Sequence, residues 1–300
     1  MRVILAALLT LSLVACQDAA PAGTTDASAG DVALKSIHST RLYVFDTITF
    51  TREKPLGVAP GFDLDGRVSD EKDKLSCGKV DFVSPEGVKG IDNQFARLVP
   101  LIEASGLGAF EGLLQTTIKD GGLLLMLQVQ GIDDIHKDPE VHLSIRAGQG
   151  TPLLGTDGLL LSGQTFHRSG KSPETDAGAA QIDSDILTAG PFDVQLPVVV
   201  FGKNYVLELR KARIRARITP DGGLSDGILG GGITLTSIAA IAEQAAQDQP
   251  SLLDMIHGVI GDNGDLAVAA DGTCGQISAA LKFSAVSAFL FEDVTATATK

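Results

Sequence analysis

Alternation between apolar and polar residues recurs along most of the chain from residue 41 onward and predicts a structure built mainly from β-strands. The longest alternating pattern covers 205–219, where Ala212, Ile214 and Ala216 fall on one face of the predicted strand. A second long pattern lies near the end of the sequence, at 277–291. The same criterion predicts shorter strands at 41–51, 123–131, 140–147, 159–166, 181–187, 192–201 and 224–235.

Four stretches instead repeat their apolar residues at helical spacing. The predicted helices cover about 93–102, 109–119, 236–247 and 251–260. In the first of them, Phe95, Leu98 and Val99 share one face. Strands outnumber helices and follow one another through short turns, which favours a mainly β fold with helical insertions. We expect an antiparallel two-sheet sandwich, or one strongly curved sheet, covered by two helical hairpins.

The stretch between residues 53 and 90 has no regular pattern. Prolines and glycines punctuate it, and six aspartates or glutamates surround Cys77. An irregular stretch of this length inside a compact domain is usually functional or is held in place by other groups. The sequence suggests a disulfide and a bound cation as the groups that could hold it.

The formal net charge of −13 over 300 residues limits the possible partners. An acidic chain repels nucleic acid and does not lie flat on anionic lipid. The apolar fraction of 44% and the charged fraction of 20% are those of a folded protein rather than a disordered one. We therefore expect a folded domain with no nucleic-acid partner.

The N-terminus contains the most specific motif of the chain. Arg2 precedes an apolar run of about a dozen residues, which is too short to span a membrane and is typical of a secretory signal. The run ends in Leu13-Val14-Ala15-Cys16, which resembles the signal of bacterial lipoproteins, and the remainder resembles uncharacterised envelope lipoproteins of Gram-negative bacteria.

This resemblance implies how the chain is divided and where it acts. The signal would cover residues 1–15, an acylated Cys16 would begin a flexible tether at 16–35, and one β-rich domain would follow at 36–300. The acyl chains, palmitate among them, would make the membrane a partner. Gln17 after the acylated cysteine implies delivery to the outer membrane, with the domain on the periplasmic face or the cell surface.

Acylation of Cys16 would leave two cysteines, Cys77 and Cys274, in an oxidising compartment. We predict that they form a disulfide, because paired thiols outside the cytoplasm are usually oxidised. The bridge would close a loop of about 200 residues, for which the chain-entropy model gives about 4–5 kcal/mol of stabilisation. The alternative is two separate buried thiols.

The segment around Gly66 resembles the first half of an EF-hand calcium loop, as in dockerin modules. Asp63 and Asp65 would supply oxygens from the third and fifth loop positions, just before the tight turn at Gly66, and Asp92 could add another through the fold. The pattern is incomplete, since Lys72 stands where the bidentate glutamate belongs. A Ca²⁺ site and a solvated acidic turn both remain open.

Four cations alternate along the strand predicted at 205–219: Lys211, Arg213, Arg215 and Arg217. One interpretation is a face for an anionic ligand, such as a glycan or a lipid head group. The other is pairing with carboxylates on a neighbouring strand, for which Asp183 and Asp185 are candidates.

The sequence contains no motif for nucleophilic catalysis, and its five histidines are scattered. We therefore favour a non-enzymatic lipoprotein with a binding or structural role, stabilised by calcium if the acidic site is real. Two alternatives stay open. One is a carrier of a lipid or other apolar ligand in a cavity under the helices at 236–260, and the other is an envelope hydrolase without a sequence signature.

Overall fold

The first and last long strands of the domain pair with each other, and this pairing closes the sheet. In the computed structural model, strand β1 (Ser39–Phe50) runs antiparallel to strand β12 (Cys274–Phe291), with partners from Leu42 and Ala288 to Phe50 and Leu281. The structure describes residues 39–104, 110–170, 174–200, 203–245, 254 and 258–291. Cys16, the predicted signal and the predicted tether therefore lie outside the described residues.

Eight antiparallel strands form the closed ring, and each pairs with the next around a β-barrel. After β1 the order is β4 (Leu125–Ile132), β5 (Lys137–Gln149), β7 (Thr175–Asp183), β8 (Ile186–Val200), β9 (Lys203–Ile218), β10 (Leu224–Thr234) and β12. Short strands accompany the ring: β6 (Gln164–Arg168), β11 (Leu266–Val268) and the separate pair β2 (Phe82–Val83) and β3 (Lys89–Ile91).

The prediction of a two-sheet sandwich, or of a curved sheet covered by two helical hairpins, is therefore wrong. The mainly β, antiparallel character holds, but one sheet closes on itself. Alternation along a strand tells which side chains face inward and does not tell which strand lies alongside. Closure depends on the pairing of β1 with β12, which joins residues more than 200 positions apart.

The ring encloses the hydrophobic core. One cluster of buried side chains draws members from all eight ring strands, as expected for a small barrel filled by its inward-facing residues. Phe45 of β1 and Phe283 of β12 stack inside it with ring centroids 4.2 Å apart. Gly227 of β10 lies beneath this pair, and a Cβ there would come within 2.6 Å of the Phe283 ring. Glycine at this position makes room for the stack.

Helices lie against individual strands of the barrel. Helix α1 (Phe95–Ala104) packs against β12 and helix α2 (Phe110–Lys119) against β1, close to the predicted bounds. Helix α3 (Leu235–Ala245) packs mainly against β9 and β10. The helix predicted at 251–260 falls largely outside the described residues. Among the helices of the described chain, none is both long and apolar enough to cross a membrane.

We predict that Phe283→Ala lowers the free energy of unfolding by about 3–5 kcal/mol, because it removes a buried aromatic ring and leaves a cavity. Phe289→Ala on the same strand provides a matched control, since the Phe289 side chain is 63% exposed. Urea unfolding followed by circular dichroism measures both variants. Equal losses for the two would contradict a stacked pair inside the barrel.

Candidate functional site

The irregular segment between β1 and α1, residues 51–94, lies on the barrel and is attached through Asn93. The Asn93 side chain is fully buried. Its Nδ2 donates hydrogen bonds to Thr51 Oγ1 and to the Pro60 carbonyl, at 2.6 and 2.7 Å. Its Oδ1 accepts from the backbone N–H of Ala280 on β12, at 3.2 Å. One side chain thus joins both ends of the segment to the barrel wall.

The predicted disulfide between Cys77 and Cys274 is confirmed, with the two Cα atoms 6.2 Å apart. Cys77 ends a short 3-10 helix, Lys74–Ser76, in the left-handed backbone conformation, and Cys274 begins β12. The bridge therefore attaches the middle of the 51–94 segment to the same strand that Asn93 contacts. The segment is held by a covalent bond at one point and by buried hydrogen bonds at another.

The three carboxylates predicted as metal ligands converge. Asp63, Asp65 and Asp92 each place an oxygen within 4.8 Å of the others. The backbone of Phe62 forms an antiparallel bridge with Asp92, and the Leu64 N–H donates to Asp92 Oδ2 at 2.6 Å. This bridge places Asp92 beside a loop that is about 30 residues away in sequence. We call these three residues the acidic cluster.

Burial governs the electrostatics of the acidic cluster. Asp92 is 2% exposed, and its pKa is raised to about 8, first by desolvation and then by the charges of Asp65, Asp81 and Asp265. The pKa of Asp81 is also raised, chiefly by burial. Arg67 offsets part of the negative charge through an ion pair with Asp65 at 2.6 Å. Its Nε also lies 3.7 Å from Asp73 Oδ2. Burial therefore disfavours the charged form of Asp92 in the folded protein.

A second buried aspartate near the acidic cluster, Asp265, was not among the predicted site residues. The backbone N–H of Ser278 donates to Asp265 Oδ1 at 2.6 Å, and the Ser278 hydroxyl donates to Oδ2. The Gln94 N–H in turn donates to the Ser278 hydroxyl at 2.8 Å. Despite these hydrogen bonds, desolvation raises the pKa of Asp265 to about 7. This network holds the residue just before α1 against β12.

The four predicted cations do not form one continuous binding face. The backbone N–H of Lys211 donates to Asp193 at a bulge, where Lys211 has a φ of 50°. The Arg213 side chain packs near Gly190, and its Nε is buried without a hydrogen-bond partner. Of these four residues, Arg215 and Arg217 line a groove on the barrel wall.

The predicted pairing of these cations with Asp183 and Asp185 is not seen. Ile186 of β8 pairs with Arg217, so Asp185 precedes the paired region and instead contacts His136 at 2.5 Å. Of the three predicted arginines, Arg215 has a carboxylate within 4.0 Å among the described residues. Its partner is Glu86, at 3.8 Å.

A groove of about 800 Å³ lies between the outer wall of the barrel and the 51–94 segment. Arg215 and Arg217 of β9 and Lys282 of β12 contribute its positive charges, whereas Glu86 and Asp226 contribute its negative charges. Sequence reasoning missed Lys282. The signal available was that Lys282 is the one charged residue in the apolar stretch 277–291.

Comparison of the chain with models of known families, with curated proteins and with solved structures gives no match. Residue roles therefore rest on the geometry of these sites and on the N-terminal motif.

Two histidines of the described chain contact aspartates. His142 contacts Asp176 at 3.0 Å on the barrel surface, and His136 contacts Asp185. His38, His257 and most of the helix at 251–260 lie outside the described residues. The interpretations as a carrier of an apolar ligand and as a hydrolase stay predictions.

The raised pKa of Asp265 predicts a pH dependence of stability. Between about pH 4, where an unfolded aspartate titrates, and pH 7, the folded state binds more protons than the unfolded state. The free energy of unfolding should therefore fall as the pH rises through this range. We predict that Asp265→Asn, which does not titrate, reduces this slope. Urea unfolding between pH 4 and 8 in the presence of EDTA measures it.

Asp183→Asn is the control for Asp265→Asn, because Asp183 is an exposed carboxylate on β7. It should leave the slope unchanged. A slope that is the same in wild type and Asp265→Asn would show that Asp265 is ionised throughout this pH range.

Proposed function

We propose that the protein is an acyl-anchored binding protein of the bacterial envelope. The observation that carries this proposal is the sequence Leu13-Val14-Ala15-Cys16 directly after a short apolar run that begins behind Arg2. Cleavage before Cys16 and acylation of its thiol would attach the barrel to a membrane through a tether of about 20 residues. Gln17 supports delivery to the outer membrane.

The disulfide of the domain supports an extracytoplasmic location. The Cys77–Cys274 disulfide is the kind of crosslink that persists in oxidising compartments. The net charge of −13 on the whole chain disfavours contact with an anionic lipid surface, so attachment would depend on the acyl chains. A closed barrel is compatible with a binding role, since it gives a rigid wall on which an irregular segment can form a site.

We predict that Cys16→Ser abolishes palmitate incorporation into the full chain and leaves a larger, unprocessed product. The serine hydroxyl cannot replace the thiol in thioether formation, so the unprocessed signal remains. Radiolabelled palmitate and the electrophoretic mass of the product measure the change. The double variant Cys77→Ser/Cys274→Ser is the control, because it removes cysteines and should keep the label. Unaltered labelling of Cys16→Ser would refute the anchor.

We also propose that Ca²⁺ stabilises the 51–94 segment by binding the acidic cluster. The supporting observation is the convergence of Asp63, Asp65 and Asp92 within 4.8 Å, with Asp92 buried. Carboxylate oxygens around a tight turn suit a hard cation, and Gly66 supplies that turn with a φ of 81°. The bound cation would offset the charge that burial makes unfavourable on Asp92. Its role here would be structural.

We predict that Ca²⁺ raises the melting temperature of the full chain and that EDTA reverses the effect. A calcium concentration about 100-fold above Kd would add about 2.7 kcal/mol to the free energy of unfolding. The double variant Asp63→Asn/Asp65→Asn should lose the response. Asp70→Asn is the matched control, because Asp70 is an exposed residue of the same segment outside the cluster. A melting temperature insensitive to both calcium and chelator would rule out the site.

A further inference from the structure

The groove beside the 51–94 segment lies on a row of outward-facing residues that crosses the barrel wall. Strand register places Arg215 of β9 beside Ile228 of β10, Ile228 beside Lys282 of β12, and Lys282 beside Thr49 of β1. Arg215 points outward because its neighbours along β9, Ile214 and Ala216, belong to the core. The charged side chains of the groove therefore lie on the outside of the barrel.

The spacing of the cations follows from sheet geometry. Arg215 and Arg217 are two residues apart on one strand, which separates their Cα atoms by roughly 6.8 Å. Lys282 lies two strands away from Arg215, which is roughly 9.6 Å across the sheet. The Cα atoms of the three cations that border this concavity are therefore about 7–10 Å apart. This is wider than a single phosphate or carboxylate group.

The positive charges of the groove are only partly neutralised. The Arg215 guanidinium is 3.8 Å from Glu86, a long pair between side chains that are 42% and 59% exposed. Arg217 and Lys282 have no carboxylate within 4.0 Å in the part of the chain that the structure describes. The pKa of Glu86 is lowered, first by a hydrogen bond with Ser84 and then by the charges of Arg215 and Lys282. Glu86 thus occupies the place that an anion from solution could take.

We propose that this groove binds a small polyanion that carries at least two phosphate or carboxylate groups. This deepens the proposed binding role and rests on it. The guanidinium groups of Arg215 and Arg217 would bind one anionic group of the ligand, and Lys282 would bind a second one across the sheet. The exposed Thr49 hydroxyl beside Lys282 could hydrogen-bond to a hydroxyl of the ligand.

Size and charge select a small ligand over a polymer or a membrane. A volume of about 800 Å³ matches sites that enclose a single small molecule. A chain with a net charge of −13 repels an extended polyanion, whereas a local cluster of cations still attracts a compact one. Phe283 lines the groove but is stacked on Phe45, so recognition depends on charge and hydrogen bonds rather than on ring stacking.

The test uses the full chain, purified in detergent, and isothermal titration calorimetry with a matched series of probes. Fructose 1,6-bisphosphate, fructose 6-phosphate and fructose differ only in their number of phosphates, and citrate tests carboxylates. We expect the bisphosphate to bind at least tenfold more tightly than the monophosphate, fructose not to bind, and the affinity to fall with salt. Citrate binding as tight as that of the bisphosphate would assign a polycarboxylate ligand, and weaker citrate binding a phosphorylated one. Absence of binding by both polyanions would overturn the proposal.

Two variants locate the binding. The triple variant Arg215→Gln/Arg217→Gln/Lys282→Gln should weaken bisphosphate binding at least 30-fold. Lys72→Gln/Lys89→Gln/Lys211→Gln removes the same charge at exposed positions outside the groove and should leave the affinity within about twofold, as for a screened surface charge. Equal losses in the two triple variants would show a general charge effect and overturn the site.

Glu86→Gln gives a test that does not depend on loss of function. It removes the carboxylate that competes for Arg215, and the exposed Glu86 side chain can be replaced without disturbing the core. We expect the bisphosphate affinity to rise about three- to tenfold, and an unchanged or lower affinity would overturn the role given to Arg215. These measurements do not depend on acylation, so failure of the Cys16 experiment and failure of the groove are read separately.

Discussion

The backbone hydrogen bonds between β1 and β12 are the constraint on which the rest of the structure depends. They join the first and last strands of the described domain and leave the eight-stranded ring without a free edge. The closed wall then provides the attachment points for everything outside it. Cys274, Ser278 and Ala280 all belong to β12, and each is bound by a residue of the 51–94 segment.

The same external segment contributes to both candidate sites. Asp63, Asp65 and Asp92 form the acidic cluster, whereas Pro85 and Glu86 form one side of the groove. Because the segment contains little regular secondary structure, its shape depends on buried polar contacts rather than on a continuous ladder of backbone hydrogen bonds. Asn93 is central to these contacts, since its side-chain nitrogen donates hydrogen bonds while its side-chain oxygen accepts one. The two sites therefore share one support.

Local patterns predicted the features that depend on a face or on a residue type. A two-residue period placed Arg215 and Arg217 on one side of β9. The pairing of Cys77 with Cys274 followed from the expected oxidising compartment and from the number of cysteines left after Cys16. Features that depend on neighbouring strands could not be predicted in this way. Lys282 enters the groove only because β10 lies between β9 and β12, and barrel closure itself involves contacts between the two ends of the domain.

Burial was the other quantity that the sequence did not reveal. Asp265 ends the polar stretch Asp262-Asn263-Gly264-Asp265, yet it is buried against Ser278, and this burial raises its pKa. Asp185 looked suited to pair with an arginine, but strand register placed it beside His136. Residue type was informative in both cases, whereas the environment depended on the tertiary fold.

The 197-residue separation of the bridged cysteines has a consequence for biogenesis. In a chain secreted from its N-terminus, Cys77 would meet oxidants well before Cys274 arrives. The remaining thiol of the sequence, Cys16, would be exported earlier still and would be the competing partner during that interval. Lipid modification of Cys16 would remove this competitor, so the anchor would also protect the fidelity of oxidative folding.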